Sequence, residues 1–160
     1  ALCLSGAAAS AQTLLGATDP VSRATLRDSL TQARERWKST RPLGYRAQIE
    51  MRCECVRPRD NAPWVLVRGD SILLDSVPAD QRALVVNRPE FYTIDRLFTV
   101  LETAVADTLV SLADVKFDSR TGIPLSFTTR HRCVSRVCST GGWVEVRVFS
   151  FEVVASPRAP

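Results

Sequence analysis

Histidine and methionine each occur once in these 160 residues, and lysine only twice. A single imidazole cannot build a multi-histidine metal centre. No Ser-His-Asp pattern surrounds it, and none of the 7 glycines forms a phosphate-cradling loop. Long apolar runs are missing too. The one at the N-terminus is too short, and too rich in small residues, for a membrane helix. Basic residues number 21 against 17 acidic, for a net charge of +4, but they are scattered and interleaved with acids. A nucleic-acid binder would show a basic stripe or an aromatic-basic motif, and neither is present.

The remaining composition, 45% hydrophobic and 24% charged, is that of a globular chain long enough to bury one core. Its first residues, "ALCLSGAAASAQ", are small and apolar and end in Ala9-Ser10-Ala11, an A-x-A cleavage pattern. Residues 1–11 therefore read as the tail of a secretory signal peptide, with the mature chain starting near Gln12. Bulky Leu2 argues against a lipid anchor at Cys3, which cleavage would remove. Four cysteines are left, Cys53, Cys55, Cys133 and Cys138. An even number in an exported chain favours disulfides over free thiols or metal.

Residues 12–18 read as a flexible lead-in, 19–154 as a single domain and 155–160 as a frayed tail. Asp19-Pro20 opens a helix, since Asp caps it and Pro suits its first position. Leu26, Leu30, Ala33 and Trp37 follow at helical spacing, and the helix should end near Ser39. From Tyr45 to Cys55, apolar and polar residues alternate strictly. That predicts an antiparallel strand with one wet face, carrying Arg46, Gln48, Glu50, Arg52 and Glu54. "WVLVRGDSILLDSV" reads as a hairpin turning at Gly69-Asp70. Residues 78–92 are a loop with a short helix over 79–85. Thr93 caps a second helix whose stripe is Ile94, Leu97, Phe98, Leu101 and Val105, with Asp95 in its first turn. Three strands follow, with Ala113, Val115 and Phe117, then Ile123, Leu125 and Phe127, facing inward. In "WVEVRVFSFEVV" the alternation slips phase, which marks a β-bulge near Val148. The expected fold is α+β, two helices on one face of a mostly antiparallel sheet of five to six strands, in the order α-β-β-β-α-β-β-β.

Trp37 with Tyr45 a few residues on, "CEC" closing the first strand, "TIDRLF" opening the second helix, and "VKFDSRTGIP" with Asp118, Gly122 and Pro124 form a set. Their order and spacing resemble a bacterial family known as domain of unknown function 6174. The similarity spans roughly residues 25–153. It implies an exported protein or lipoprotein with this fold, and no known activity. After Phe127 the chain departs from the family pattern. An acidic stretch is expected there, and "RHRCVSRVCSTGG" is basic and carries two extra cysteines.

Residues i and i+2 of an extended strand lie about 6.5–7 Å apart on one face, whereas a disulfide wants Cβ atoms about 3.8 Å apart. Cys53 and Cys55 can therefore bond each other only if the strand kinks, which Arg57-Pro58 would allow. Members of the family often carry that pair alone. The resemblance thus implies Cys133–Cys138 and Cys53–Cys55 bridges, and both crossed connectivities stay open. A Cys-x-Cys pair also suits thiol–disulfide exchange, but reactive thiols sit exposed near a helix start or a cation, not on an inward strand face. Zinc on four cysteines would use an uncommon ligand spacing, so no metal or cofactor is expected.

His131 shares strand parity with Cys133, yet no activating acid is evident nearby, and a surface histidine in a basic hairpin is the simpler reading. "RGD" at 68–70 is an ordinary hairpin turn. Asp114 and Asp118 suit turns better than a calcium loop. Glu50 and Glu54 look like charge partners of Arg46 and Arg52. Trp37, Tyr45, Phe98, Phe117, Phe127, Phe149 and Phe151 fall on core stripes. Trp64 and Trp143, with Arg130, His131 and Arg132, are the candidate binding patch. The function expected is a non-enzymatic, disulfide-stapled binding module that contacts a protein or envelope component through its sheet face or its 57–64 and 130–142 loops. A redox protein using Cys53 and Cys55, or a carrier of small ligands, is the alternative.

Overall fold

The computed structural model describes residues 15–17, 19–53, 62–76, 92–131 and 142–155. The first helix, α1 (Pro20–Thr40), begins where the Asp19 carboxylate accepts the Ser22 N–H (3.0 Å) and the Ser22 hydroxyl (2.6 Å). The second, α2 (Ile94–Ala106), begins where the Thr93 hydroxyl accepts the Arg96 N–H. Both caps satisfy donors that a helix start leaves unpaired. Leu26, Leu30, Ala33 and Trp37 of α1 are buried, as are Ile94, Leu97, Phe98, Leu101 and Val105 of α2. The two stripes read from spacing are the two faces that pack.

The strands are β2 (Gly44–Cys53), β3 (Trp64–Arg68), β4 (Ser71–Ser76), β5 (Val110–Phe117), β6 (Pro124–His131) and β7 (Trp143–Val153). A seventh, β1 (Leu15–Ala17), lies in the stretch read as a flexible lead-in, where three residues pair antiparallel with β5 as an edge strand. The sheet order is β1-β5-β6-β7-β2-β3-β4, with every neighbouring pair antiparallel. The α+β architecture and the order of helices and strands are those expected, with β1 added.

Alternation sets the two faces of the sheet. Tyr45, Ala47 and Ile49 of β2, Val65 and Val67 of β3, Leu112 of β5, Phe127 of β6 and Val146 of β7 are buried beneath the helices. The phase slip in β7 is a bulge, because Gln48 pairs with Ser150 and Ile49 with Val148, which leaves Phe149 without a partner. Phe149 is 55% exposed, not part of the core as its stripe suggested. Another irregularity in β5 lies between Ala113 and Lys116, where Asp114 takes φ 55°. It moves the buried set to Val110, Leu112 and Val115, and Ala113 leaves it. Phe117 and Phe151 are half-buried at the core's edge.

The turn joining β5 to β6 is locked against α1. Asp118 Oδ1 accepts the N–H groups of Arg120 (3.1 Å) and Thr121 (2.7 Å) and the Thr121 hydroxyl (2.7 Å). Gly122 follows at φ +79°, and a Cβ built there would lie 2.1 Å from the Ala33 carbonyl oxygen of α1. Only glycine satisfies both that angle and that approach.

The signal-peptide remnant, the short helix at 79–85, Cys55, Arg132, Cys133 and Cys138 lie outside the described residues. Cys53 closes β2 opposite Val144.

Candidate functional site

Each residue of the expected patch has its place set by β-register. Gln48 of β2 pairs with Trp64, and Arg46 pairs with Leu66. On the other side of β2, Glu50 pairs with Arg147 and Arg52 with Glu145. Parity therefore puts Trp64, Leu66, Glu145, Arg147 and Trp143 on the face turned away from the helices. Trp143 pairs with Arg130 of β6, so those two adjoin. Trp64 and Trp143 share the outer face but sit about six residues apart along β2, roughly 20 Å. His131 has the opposite parity to Arg130 and faces the helix side, where it lines a cavity beside α2. The five-residue patch is thus not one surface. Arg130 and Trp143 adjoin, Trp64 stands apart, His131 lies on the other face, and Arg132 falls outside the described residues.

The best-defined surface cluster centres on Arg46. Its guanidinium stacks over the Trp64 ring, 4.6 Å from the centroid. It also bridges Asp75 of β4 (2.5 Å) and Glu152 of β7 (3.3 Å). Two acids from strands on either side of β2 thus hold one cation flat over an indole, a geometry a lysine could not supply. Leu66 lies directly opposite Leu73 of β4, which is 52% exposed. The result is an aromatic-aliphatic surface rimmed by charge. Glu50, read as a wet-face charge, is only 8% exposed and pairs with Arg52 two residues on (2.9 Å), so its partner comes from its own strand. Periodicity assigns a residue to a face and not to a depth, so this burial was not legible.

Behind the sheet, the landmark residues meet one another. The Trp37 Nε1–H donates to Asp95 Oδ1 (3.2 Å), and Arg41 pairs with Asp95 Oδ2 (3.4 Å). The Tyr45 hydroxyl accepts the Ile94 N–H (3.3 Å), and the Trp37 and Tyr45 rings meet edge-on at 5.6 Å. Burial is the main reason the Tyr45 phenol is pushed up to about 12, and the Ile94 bond opposes the shift. These contacts fasten the start of α2 to the end of α1 and to β2. The Asp118 carboxyl in the β5–β6 turn is raised by partial burial. Its bonds from Thr121 and Arg120, with the Arg120 charge, outweigh that and hold it below the usual carboxylate range.

Among the described residues, no three His, Cys, Asp or Glu side chains gather as metal ligands. Nor is any described helix long and apolar enough to cross a membrane.

The molecule is therefore an α+β domain whose shared landmarks lock two helices to one face of an antiparallel sheet and leave the other face to its surface chemistry. A family model described as a family of unknown function, DUF6174, matches residues 29–132, and the chain belongs to that family. No curated protein and no solved structure matches it.

Proposed function

We propose that this is an exported binding domain that recognises a protein of the cell envelope or secretome through the outer face of β2, β3 and β4. The observation that carries the reading is the Arg46–Trp64 stack beside Leu66 and the exposed Leu73. Tryptophan and arginine dominate binding hot spots. A half-exposed indole, held rigid by a guanidinium that two carboxylates fix in place, costs little entropy to bury. Export is supported by the A-x-A pattern at Ala9-Ser10-Ala11. Disulfide pairing of Cys53, Cys55, Cys133 and Cys138 is supported by their even number.

The test is affinity capture from envelope extract with the intact domain, run beside Trp64→Ala and Leu73→Asp variants whose circular dichroism matches wild type. A partner retained by wild type and lost by both variants supports the reading. Capture indifferent to both substitutions, or no partner above background, overturns it. Intact mass with and without reductant tests the pairing, since each disulfide adds two hydrogens on reduction. Rapid labelling of Cys53 and Cys55 by iodoacetamide in the untreated fold would refute it.

A further inference from the structure

The two edges of the sheet are finished differently. At one end, β1 is only 3 residues long and its register shifts against β5, two features that discourage a further strand. At the other end stands β4, with 6 residues, and among the described residues no strand pairs with its second edge. Natural proteins blunt such an edge with lysine, proline or a bulge. The β4 sequence SILLDS has no lysine or proline, and its single charge, Asp75, is already held by Arg46 of the same molecule. The ladder to β3 runs regularly from Ser71 to Leu74, and the register shift comes only beyond it, between Leu74 and Ser76.

The register also shows which backbone groups face outward. Residues that flank a two-residue hairpin turn bond each other, so Arg68 and Ser71 form a hydrogen-bonded pair, and the pattern alternates from there. Leu73 then bonds Leu66, while the N–H and C=O of Ile72 and Leu74 point out from the edge. The side chains of Ile72 and Leu74 are half-buried against the core on the helix side, and Leu73 is 52% exposed on the outer face. A strand that satisfies this edge must be apolar on both faces at these positions and must set no acid against Asp75. β4 itself meets both conditions. Laid antiparallel about Leu73, two copies set Ile72 opposite Leu74 twice, each pair exchanging both of its N–H···O bonds. Leu73 meets Leu73, and Ser71 faces Asp75, so no like charges are opposed.

We propose that this chain forms a two-fold dimer by pairing β4 edge to edge with β4 of a second copy. The two sheets become one, with both helix layers on the same side. The contact is one strand wide, so the dimer belongs with weak, concentration-dependent interfaces. It uses the backbone edge of β4, not the Arg46–Trp64 stack, so it can fail while the proposed partner binding stands, and the reverse.

The test combines sedimentation velocity with amide hydrogen exchange by nuclear magnetic resonance on the intact chain, from about 1 μM to 1 mM for sedimentation and at the upper end of that range for exchange. The expected result is a monomer–dimer equilibrium in which the Ile72 and Leu74 amides gain protection as concentration rises. The Leu73 amide, already bonded to β3, should change little. Leu73→Lys sets two cations against each other at the two-fold axis and should weaken the dimer by about tenfold or more. Leu74→Pro removes an outward donor without breaking a bond to β3 and gives a second, independent loss. Trp64→Ala, which abolishes partner capture in the proposed function, should leave the dimer unchanged. A monomer at every concentration overturns the proposal. So does a dimer that leaves Ile72 and Leu74 unprotected or is indifferent to both β4 substitutions, or assembly beyond two copies, since this pairing closes on itself.

Discussion

The guanidinium of Arg23, in the first turn of α1, closes the far end of α2. Its Nη1 donates to the carbonyl of Asp107, the C-cap residue, at 3.0 Å. The same nitrogen reaches the carbonyls of Ala104 (3.3 Å) and Val105 (3.2 Å), and Nη2 donates to Val110 at the start of β5. The last turn of α2 has no basic residue of its own. The cation that its negative end favours is delivered from the neighbouring helix, together with the donors its last carbonyls lack.

Removing that fork should be costly. Arg23→Met keeps most of the stem and strips every donor from partly buried carbonyls, so it should lower stability by about 2–3 kcal/mol. Arg23→Lys retains the charge but not the planar fork, and should recover only part of the loss. Urea denaturation followed by tryptophan fluorescence measures both. Equal stability of Arg23→Met and wild type would show that solvent satisfies those carbonyls as well.

Gly122 offers a sharper test of how the β5–β6 turn meets α1. Gly122→Ala demands a left-handed angle and puts a methyl group into the Ala33 carbonyl, which is helix backbone and cannot swing aside. The expected loss is about 3 kcal/mol or more, seen as a lower thermal midpoint. At Gly69 the angle is also positive, φ +55°, but nothing lies within 4 Å of a built Cβ, so Gly69→Ala should cost only the angle, about 1 kcal/mol.

The chain has two tyrosines, and burial raises both Tyr45 and Tyr92. A phenol whose folded value stands above its unfolded one favours folding while it stays protonated. Tyr45 therefore contributes stability that is fully present below pH 10 and is lost as pH rises toward about 12. Alkaline titration of phenolate absorbance should show no tyrosine ionising near pH 10 in the native protein, and two ionising there in urea. Ionisation of both at pH 10 without unfolding would contradict the burial.

Much of this architecture could be read from residue spacing, because the signals are local. Both helix starts lie at their capping residues, and the β7 phase slip is a real bulge, one residue past Val148. What escaped the sequence depends on partners distant in the chain. "LGA" at 15–17 has no alternation to announce an edge strand and is one only because β5 offers it a ladder. Arg46 was read as a solvated charge. Its position over Trp64, between Asp75 and Glu152, follows from a register that joins four strands. The grouping of His131 with Arg130 and Trp143 ignored parity, which places neighbours on opposite faces.

Asp118 links this local chemistry to acid stability. Its carboxylate gathers three hydrogen bonds from Arg120 and Thr121, and its folded value lies below the ordinary one of 3.8. For a depressed acid, the stabilisation is present above the unfolded value and is lost as pH falls through the folded one. Protonation would also release the turn that places Gly122 against Ala33. Wild type should therefore lose stability progressively below about pH 4. Asp118→Asn, which keeps an acceptor without the charge, should start less stable at pH 7 and show a flatter acid limb. Urea midpoints of the two proteins between pH 7 and pH 3 measure the difference. Parallel curves would mean that the carboxylate's charge contributes nothing and that only its shape holds the turn.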